Sequence, residues 1–357
     1  MTASERLVKQ LNLTAQSAVV VHNPSNMFYL TQGYTGEGCV FISGERKVII
    51  TDFRYVEQAQ QQAPGFTVVM TDKGLGHSQW VAKLCEEDKV EVLRYEDDYL
   101  TVRSFESLRR AVGEGVSYAS LDRVPEKLRE VKSPAEVEAI RRACAITSAA
   151  FEAILPKIKE GMTEKDLQIE LDFTMLKLGA SGNAFETIIA SGENGSLCHA
   201  IPGPRKLRKG DMITMDFGAK VDGYCSDMTR TVALGEPSAE MRRVYETVFH
   251  AQAIAEEALA PGKTGAELDK LARDYIDSQG YEGRFGHSLG HSLGFDIHEN
   301  PRLSYISDDV MVPGMLATVE PGVYIPGLGG VRIENTCLVT ENGCEALTTP
   351  TRELIIL

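Results

Sequence analysis

Two stretches of this chain repeat one another at an offset of 101 residues, and that repeat constrains the fold more than any other feature. "EGMTEKDLQIELDFTMLKLGA" begins at Glu160 and "PGKTGAELDKLARDYIDSQGY" at Pro261. Gly161 matches Gly262, Thr163 matches Thr264, Leu167 matches Leu268 and Gly179 matches Gly280. Gly-x-Thr before a helix is good capping chemistry, so four identities alone carry little weight. Each copy, however, follows a long helical segment and precedes a Gly-rich, His-containing stretch. A duplicated half-domain accounts for both copies, and a site built between two halves would draw residues from each.

The stretch "ITMDFGAKVDGYCSDMTRTV" (213–232) reads as two apolar-rich strands joined by a turn at Val221-Asp222-Gly223. Asp216 and Asp227 are expected opposite one another. Their Cβ atoms would then lie about 4.5–5.5 Å apart, where like charges destabilise the pair. Two acids placed so require something positive between them.

A second cluster follows in "RFGHSLGHSLGFDIHENPRL", which holds His287, His291 and His298. His287 and His291 have the i, i+4 spacing of a zincin helix. Ser288 stands where that motif needs Glu, however, and Gly286, Gly290 and Gly294 argue against a helix. Downstream, "MLATVEPGVYIPGLGGVRIENTCLVT" predicts two strands carrying Glu320 and Glu334, with Arg332 on the face of Glu334. Alone, each acid reads as solvated and each histidine as a hydrogen-bonded loop residue. Together, two Asp, one imidazole from a Gly-rich turn and two Glu form a thiolate-free set that suits a pair of divalent cations. Two such ions about 3.5–4 Å apart would hold an activated water.

The first 125 or so residues alternate differently. "SAVVVHNP" and "CVFISGERKVIITD" predict strands, the latter a hairpin turning near Gly44-Glu45. "FRYVEQAQQQA" and "HSQWVAKLCEED" have helical spacing, and "FTVVMT" and "KVEVLRY" return to strand. No cluster of acids and histidines falls here, so this part is assigned no chemistry. Ser133-Pro134 with Glu136 marks a helix start, and domains are expected at 1–128 and 129–357. A net charge of −14 argues against nucleic acid or an anionic membrane as partner. The N-terminus shows no apolar signal core. Seven cysteines without a C-x-x-C pair suggest reduced thiols in a cytoplasmic protein.

In order and spacing, "MDFGAKVDGYCSD", "GHSLG", "VEPGVY" and "GVRIEN" resemble the metal-binding signatures of the family containing methionine aminopeptidase, aminopeptidase P and prolidase. The resemblance covers about residues 135–357. The N-terminal part is similar to the extra domain of the creatinase/prolidase branch. The implied fold class is α/β (α+β): a small mixed α/β domain followed by a pseudo-symmetric pita-bread catalytic domain.

The same resemblance implies Asp216, Asp227, His291, Glu320 and Glu334 as ligands of two divalent ions per chain. Mn²⁺ is the first choice, with Co²⁺, Zn²⁺ or Fe²⁺ compatible. It places His199 of "GSLCHAIPG" near the substrate, and His287 and His298 at the scissile carbonyl or the proline end. It makes Glu320 the proton shuttle and Arg332 and Arg302 substrate-binding residues. Arg302 matches an arginine seen in prolidases that would take a free carboxylate; pairing with nearby Glu299 is the alternative. The implied reaction is hydrolysis of Xaa-Pro bonds, which need a dedicated enzyme because the proline nitrogen carries no N–H. The implied partner is a small peptide with proline second, and a homodimer is expected. Dipeptidase ranks first, aminopeptidase P on longer peptides second, and a non-catalytic binding module last. Creatinase-type relatives lack the full ligand set, and methionine aminopeptidase usually lacks the extra domain.

Overall fold

Three short runs rich in β-branched residues, Ser17–Val21, Cys39–Ser43 and Lys47–Thr51, are buried almost throughout and form the middle of a six-stranded sheet. In the computed structural model, which describes residues 1–357, this sheet belongs to the first of two compact units, Met1–Arg129 and Glu130–Leu357. Its order is Thr67–Met70, Lys47–Thr51, Cys39–Ser43, Ser17–Val21, Val92–Tyr95, Ser117–Ser120. The helices His77–Asp88 and Val102–Val112 bury Val81, Leu84 and Leu108 against Val20, Phe41, Ile50 and Leu93. This mixed α/β unit is the one expected.

The second unit opens with the helix Pro134–Ile154. Ser133 Oγ accepts from Glu136 N, while the Glu136 carboxylate accepts from Ser133 N. The internal repeat then appears as matched hydrogen bonds. Thr163 caps Glu164–Lys177 and Thr264 caps Gly265–Ile276, each through a capping box. Gly161 N donates to Leu207 O at 2.9 Å, as Gly262 N does to Met311 O at 2.9 Å. Glu164 N donates to Arg205 O and Gly265 N to Asp309 O, both at 3.0 Å.

Each half then supplies an antiparallel pair, Met212–Phe217 with Met228–Ala233 and Leu316–Val319 with Asn335–Val339. Each half also has its own apolar core. The matched leucines Leu167 and Leu268 are fully buried, one in each core, and each burial contributes about 1.5–3 kcal/mol. No helix is long and apolar enough to cross a membrane.

The hairpin register differs from the one expected. Its turn consists of Asp222 and Gly223 alone, at φ 50° and 86°, with Val221 paired to Tyr224 and Lys220 to Cys225. Two consecutive left-handed residues match the twist of the flanking strands, and β-branched Val221 is excluded from such a conformation. The pairing therefore shifts by two, and Asp216 faces Thr229 rather than Asp227. Asp227 falls just before the strand Met228–Ala233, so the two acids are diagonal neighbours.

Candidate metal centre

Each half delivers two acids to the centre from the ends of its paired strands. Asp216 lies near the end of Met212–Phe217, and Asp227 immediately precedes Met228–Ala233. Glu320 follows Leu316–Val319, and Glu334 stands just before Asn335–Val339. His291 comes from the short strand Gly290–Ser292. Gly290 brings that strand in close: a Cβ there would meet Thr318 O at 1.9 Å. These five residues, with His199, His287, His298, Arg302 and Arg332, line one cavity of about 310 Å³.

The donor atoms fit divalent cations. Those of Asp227, His291 and Glu334 lie within 4.8 Å of one another. His291 Nδ1 faces Ser292 O at 3.0 Å, so the proton sits on Nδ1 and the Nε2 lone pair points inward. Nε2 is 3.5 Å from Asp227 Oδ2 and 3.4 Å from Glu320 Oε1. Asp216 Oδ1, Asp227 Oδ1 and Glu334 Oε1 are buried with no hydrogen-bond partner. Leaving a buried acceptor unsatisfied costs about 1–3 kcal/mol, and more when it is charged. Hard oxygens beside a neutral imidazole are the set a divalent ion satisfies.

The electrostatics describe a centre short of positive charge. Burial raises the carboxyl of Asp227 well above its ordinary value, and Glu334, Asp216 and Glu320 raise it further. Burial likewise raises Glu334, with Glu320 and Asp216 adding to it, and pushes Glu320 up to about 8. Burial pushes His291 down to about 3, with His298 lowering it further, which keeps its ring neutral. Arg332 stays charged: burial works against it, but Tyr324, Asp216 and Glu320 together hold it well above its ordinary value.

Arg332 ties several groups to the centre. Nη2 reaches Asp216 Oδ2 at 2.5 Å, Nη1 reaches Tyr324 OH at 2.9 Å and Cys198 O at 3.3 Å, and Nε reaches Thr229 Oγ1 at 3.2 Å. Thr229 Oγ1 donates in turn to Glu334 Oε2 at 2.7 Å. Tyr324 is not among the residues to which the sequence points. It stands four residues after Glu320 and pairs with Gly330, and only that strand pairing brings it to Arg332. His287 donates from Nδ1 to Ser288 O at 2.8 Å and accepts at Nε2 from Tyr324 OH at 2.7 Å. His199 and His298 are exposed within the cavity, His298 packing edge-on to His291 at 4.6 Å between ring centroids.

Arg302 does not pair with Glu299. The strand Glu299–Leu303 alternates, burying Glu299 and exposing Arg302 on the opposite face. Glu299 accepts from buried Lys132 Nζ at 3.1 Å and from Asp296 N at 3.1 Å. The Arg302 guanidinium has no carboxylate partner and reaches the cavity; only its main-chain N–H is bound, to Asp309 Oδ2.

Comparisons with known proteins agree with this architecture. Residues 138–341 match the family described as metallopeptidase family M24, and residues 4–131 match the creatinase/prolidase N-terminal domain. An Xaa-Pro dipeptidase of Pyrococcus furiosus is 36% identical over 98% of this chain and 99% of its own. The solved structure of the Xaa-Pro dipeptidase from Bacillus anthracis has a TM-score of 0.95 at 40% identity, covering 99% of both chains. That of the X-Pro aminopeptidase from Thermotoga maritima has a TM-score of 0.91 at 35% identity, again covering 99% of both.

Proposed function

The chain belongs to metallopeptidase family M24, in the branch with a creatinase/prolidase N-terminal domain, and from that premise we propose that it is a dinuclear Xaa-Pro dipeptidase. The observation that carries the dipeptidase reading is Arg302, whose guanidinium lines the cavity without a carboxylate partner, whereas the cavity's other arginine, Arg332, is held by Asp216. A dipeptide brings a carboxylate next to its proline, and a guanidinium is the group that binds it in a planar, two-bond geometry.

Asp216, Asp227, His291, Glu320 and Glu334 would hold two divalent ions; their oxygens and single imidazole accept manganese, cobalt, zinc or iron, and the family resemblance puts manganese first. Bound ions supply Lewis acidity at the scissile carbonyl and a nucleophilic water at neutral pH. Glu320 is suited to move the proton: Thr318 Oγ1 donates to Oε1 at 3.1 Å, which steadies the carboxylate and leaves Oε2 free. In this role it takes a proton on the water side and returns it to the leaving proline nitrogen. His199 lies near the substrate, and His298 faces its scissile carbonyl or its proline end. His287, held at both ring nitrogens, acts there through the Tyr324 hydroxyl. Arg332 fixes Asp216 and orients Tyr324.

Cytoplasmic residence is part of the same reading and rests on cysteines held as free thiols. A homodimer follows from the family resemblance. Aminopeptidase P activity is the second reading, supported by the likeness to the Thermotoga maritima structure. A paired assay with added Mn²⁺ separates the two: the dipeptidase cleaves an Xaa-Pro dipeptide faster than an Xaa-Pro-Yaa tripeptide. The reverse order selects the aminopeptidase. Protein purified without chelator that binds no metal and cleaves neither peptide would instead be a binding module.

A further inference from the structure

Glu164 opens the helix Glu164–Lys177 and is fully buried, yet it is not needed to cap that helix, which the Thr163–Asp166 box already closes. Its Oε1 accepts from Ser191 N at 2.8 Å, Ser191 Oγ at 2.7 Å and Asn194 Nδ2 at 3.1 Å. Its Oε2 accepts from Asn194 Nδ2 at 3.1 Å and from Gly203 N at 3.4 Å. All of these donors belong to one segment, 191–203, and they sit towards its two ends. Between them the segment carries Cys198 and His199 to the cavity. Burying a carboxylate is costly unless it is well hydrogen-bonded. An apolar side chain would fill the same space without that cost, but it would not hold both ends of the loop.

The loop is fixed from its other side as well. Gly195 packs so closely on Gly330 that a Cβ would meet Gly330 N at 2.8 Å, and the Cys198 carbonyl accepts from Arg332. Arg205 Nη1 joins Ser191 Oγ at 2.8 Å to Asp211 at 2.6 Å. The second half has an equivalent device. Asp269, fully buried in Gly265–Ile276, accepts from Leu289 N at 3.0 Å and from Arg273 Nε at 2.8 Å. Arg273 then donates to Phe285 O at 2.6 Å and His287 O at 2.9 Å. In each half, an acid buried in the Thr-capped helix stands behind the loop that carries a cavity histidine.

We propose that Glu164 is a positioning residue: through Ser191, Asn194 and Gly203 it sets where the Cys198 carbonyl and His199 stand, and with them the alignment of the bound peptide. The consequence for the peptide rests on the Xaa-Pro peptidase reading; the consequence for the loop does not. Glu164→Gln keeps the shape but puts an NH₂ group against donor groups of the loop. Adding Asn194→Asp gives that amide a carboxylate to donate to.

The test measures amide exchange over residues 192–203, metal content and kinetics on an Xaa-Pro dipeptide for wild type and both variants. In E164Q, exchange in the segment should quicken by roughly tenfold. Its kcat/KM should fall roughly ten- to a hundredfold, with metal content unchanged. The double variant should recover both. Unchanged exchange in E164Q overturns the proposal, and so does a double variant that recovers exchange without recovering kcat/KM. A wild type that cleaves no Xaa-Pro peptide sinks the peptidase reading, while the exchange result still decides the loop. If E164Q does not fold, Ser191→Ala removes one donor only and should show smaller changes of the same sign; none in exchange overturns the proposal.

Discussion

Arg332 Nη2 stands 2.5 Å from Asp216 Oδ2, and this is the only arginine or lysine contact with any of the four carboxylates of the centre. Without metal, Arg332 is therefore the one arginine or lysine that offsets any of these acids. Breaking a buried ion pair from one side costs about 3–5 kcal/mol, because the remaining charge is left uncompensated. Arg332→Met should destabilise the metal-free protein by about that much, and the metal-loaded protein distinctly less, since the ions then neutralise Asp216. Urea unfolding with and without chelator measures the difference. Equal losses in both states would show that the pair does not balance the empty centre.

Asp227 bears on the metals alone. Its Oδ1 is buried without a partner and its Oδ2 faces His291 at 3.5 Å, so Asp227→Asn removes a ligand charge and no core packing. Turnover should fall by about a hundredfold or more, with fewer than two ions bound per chain and the fold retained. Metal analysis beside a turnover assay decides it. A variant that keeps two ions and near-normal turnover rules out the dinuclear assignment.

How far the sequence reveals this centre depends on whether the governing interaction is local. The repeat is legible because Gly-x-Thr with a following acid is a local capping code, and both copies use it. The hairpin register is legible as well, in the Asp222-Gly223 dipeptide, but is lost by counting β-branched Val221 into the turn. Tyr324 escapes for another reason: it joins the site through the pairing of Gly322–Ile325 with Gly329–Arg332, and its partners lie in other segments. Glu299 is taken by Lys132, 167 residues away, a contact that no spacing rule could suggest.

The metal-free protein should lose stability as pH rises from 6.5 to 8. Asp227, Glu334 and Glu320 all titrate higher when folded, Glu320 at about 8 against an ordinary 4.5. Through that interval the folded chain, titrating these acids as a cluster, binds more protons than the unfolded one, so stability falls with pH. Burial pushes His291 and His287 down to about 3 and about 4, which opposes this trend, but that opposition dies away as pH rises past their ordinary 6.5. Bound ions remove this slope, because the ligand acids are then deprotonated in the folded chain as they already are in the unfolded one. Thermal midpoints should therefore fall from pH 6.5 to 8 with chelator and stay nearly level with excess Mn²⁺. A chelated protein that gains stability towards pH 8 would contradict the charge-poor description of the centre.

Substrate length should depend on Arg302. In a dipeptide the proline carboxylate must leave water to enter the cavity, and a cationic partner makes that tolerable. Arg302 is available for this role because Glu299 is already held by Lys132. A hydrogen bond to a charged group contributes about 1.5–3 kcal/mol, roughly ten- to a hundredfold in specificity. In a tripeptide an amide replaces that charge, and the guanidinium has much less to bind. Arg302→Ala should therefore lower kcat/KM for an Xaa-Pro dipeptide by about tenfold or more, and for the matching tripeptide much less. Arg302→Lys keeps the charge but not the two-bond geometry, so its dipeptide kcat/KM should lie between wild type and alanine. If alanine depresses both substrates equally, Arg302 shapes the cavity without reading the carboxylate, and the aminopeptidase becomes the better reading.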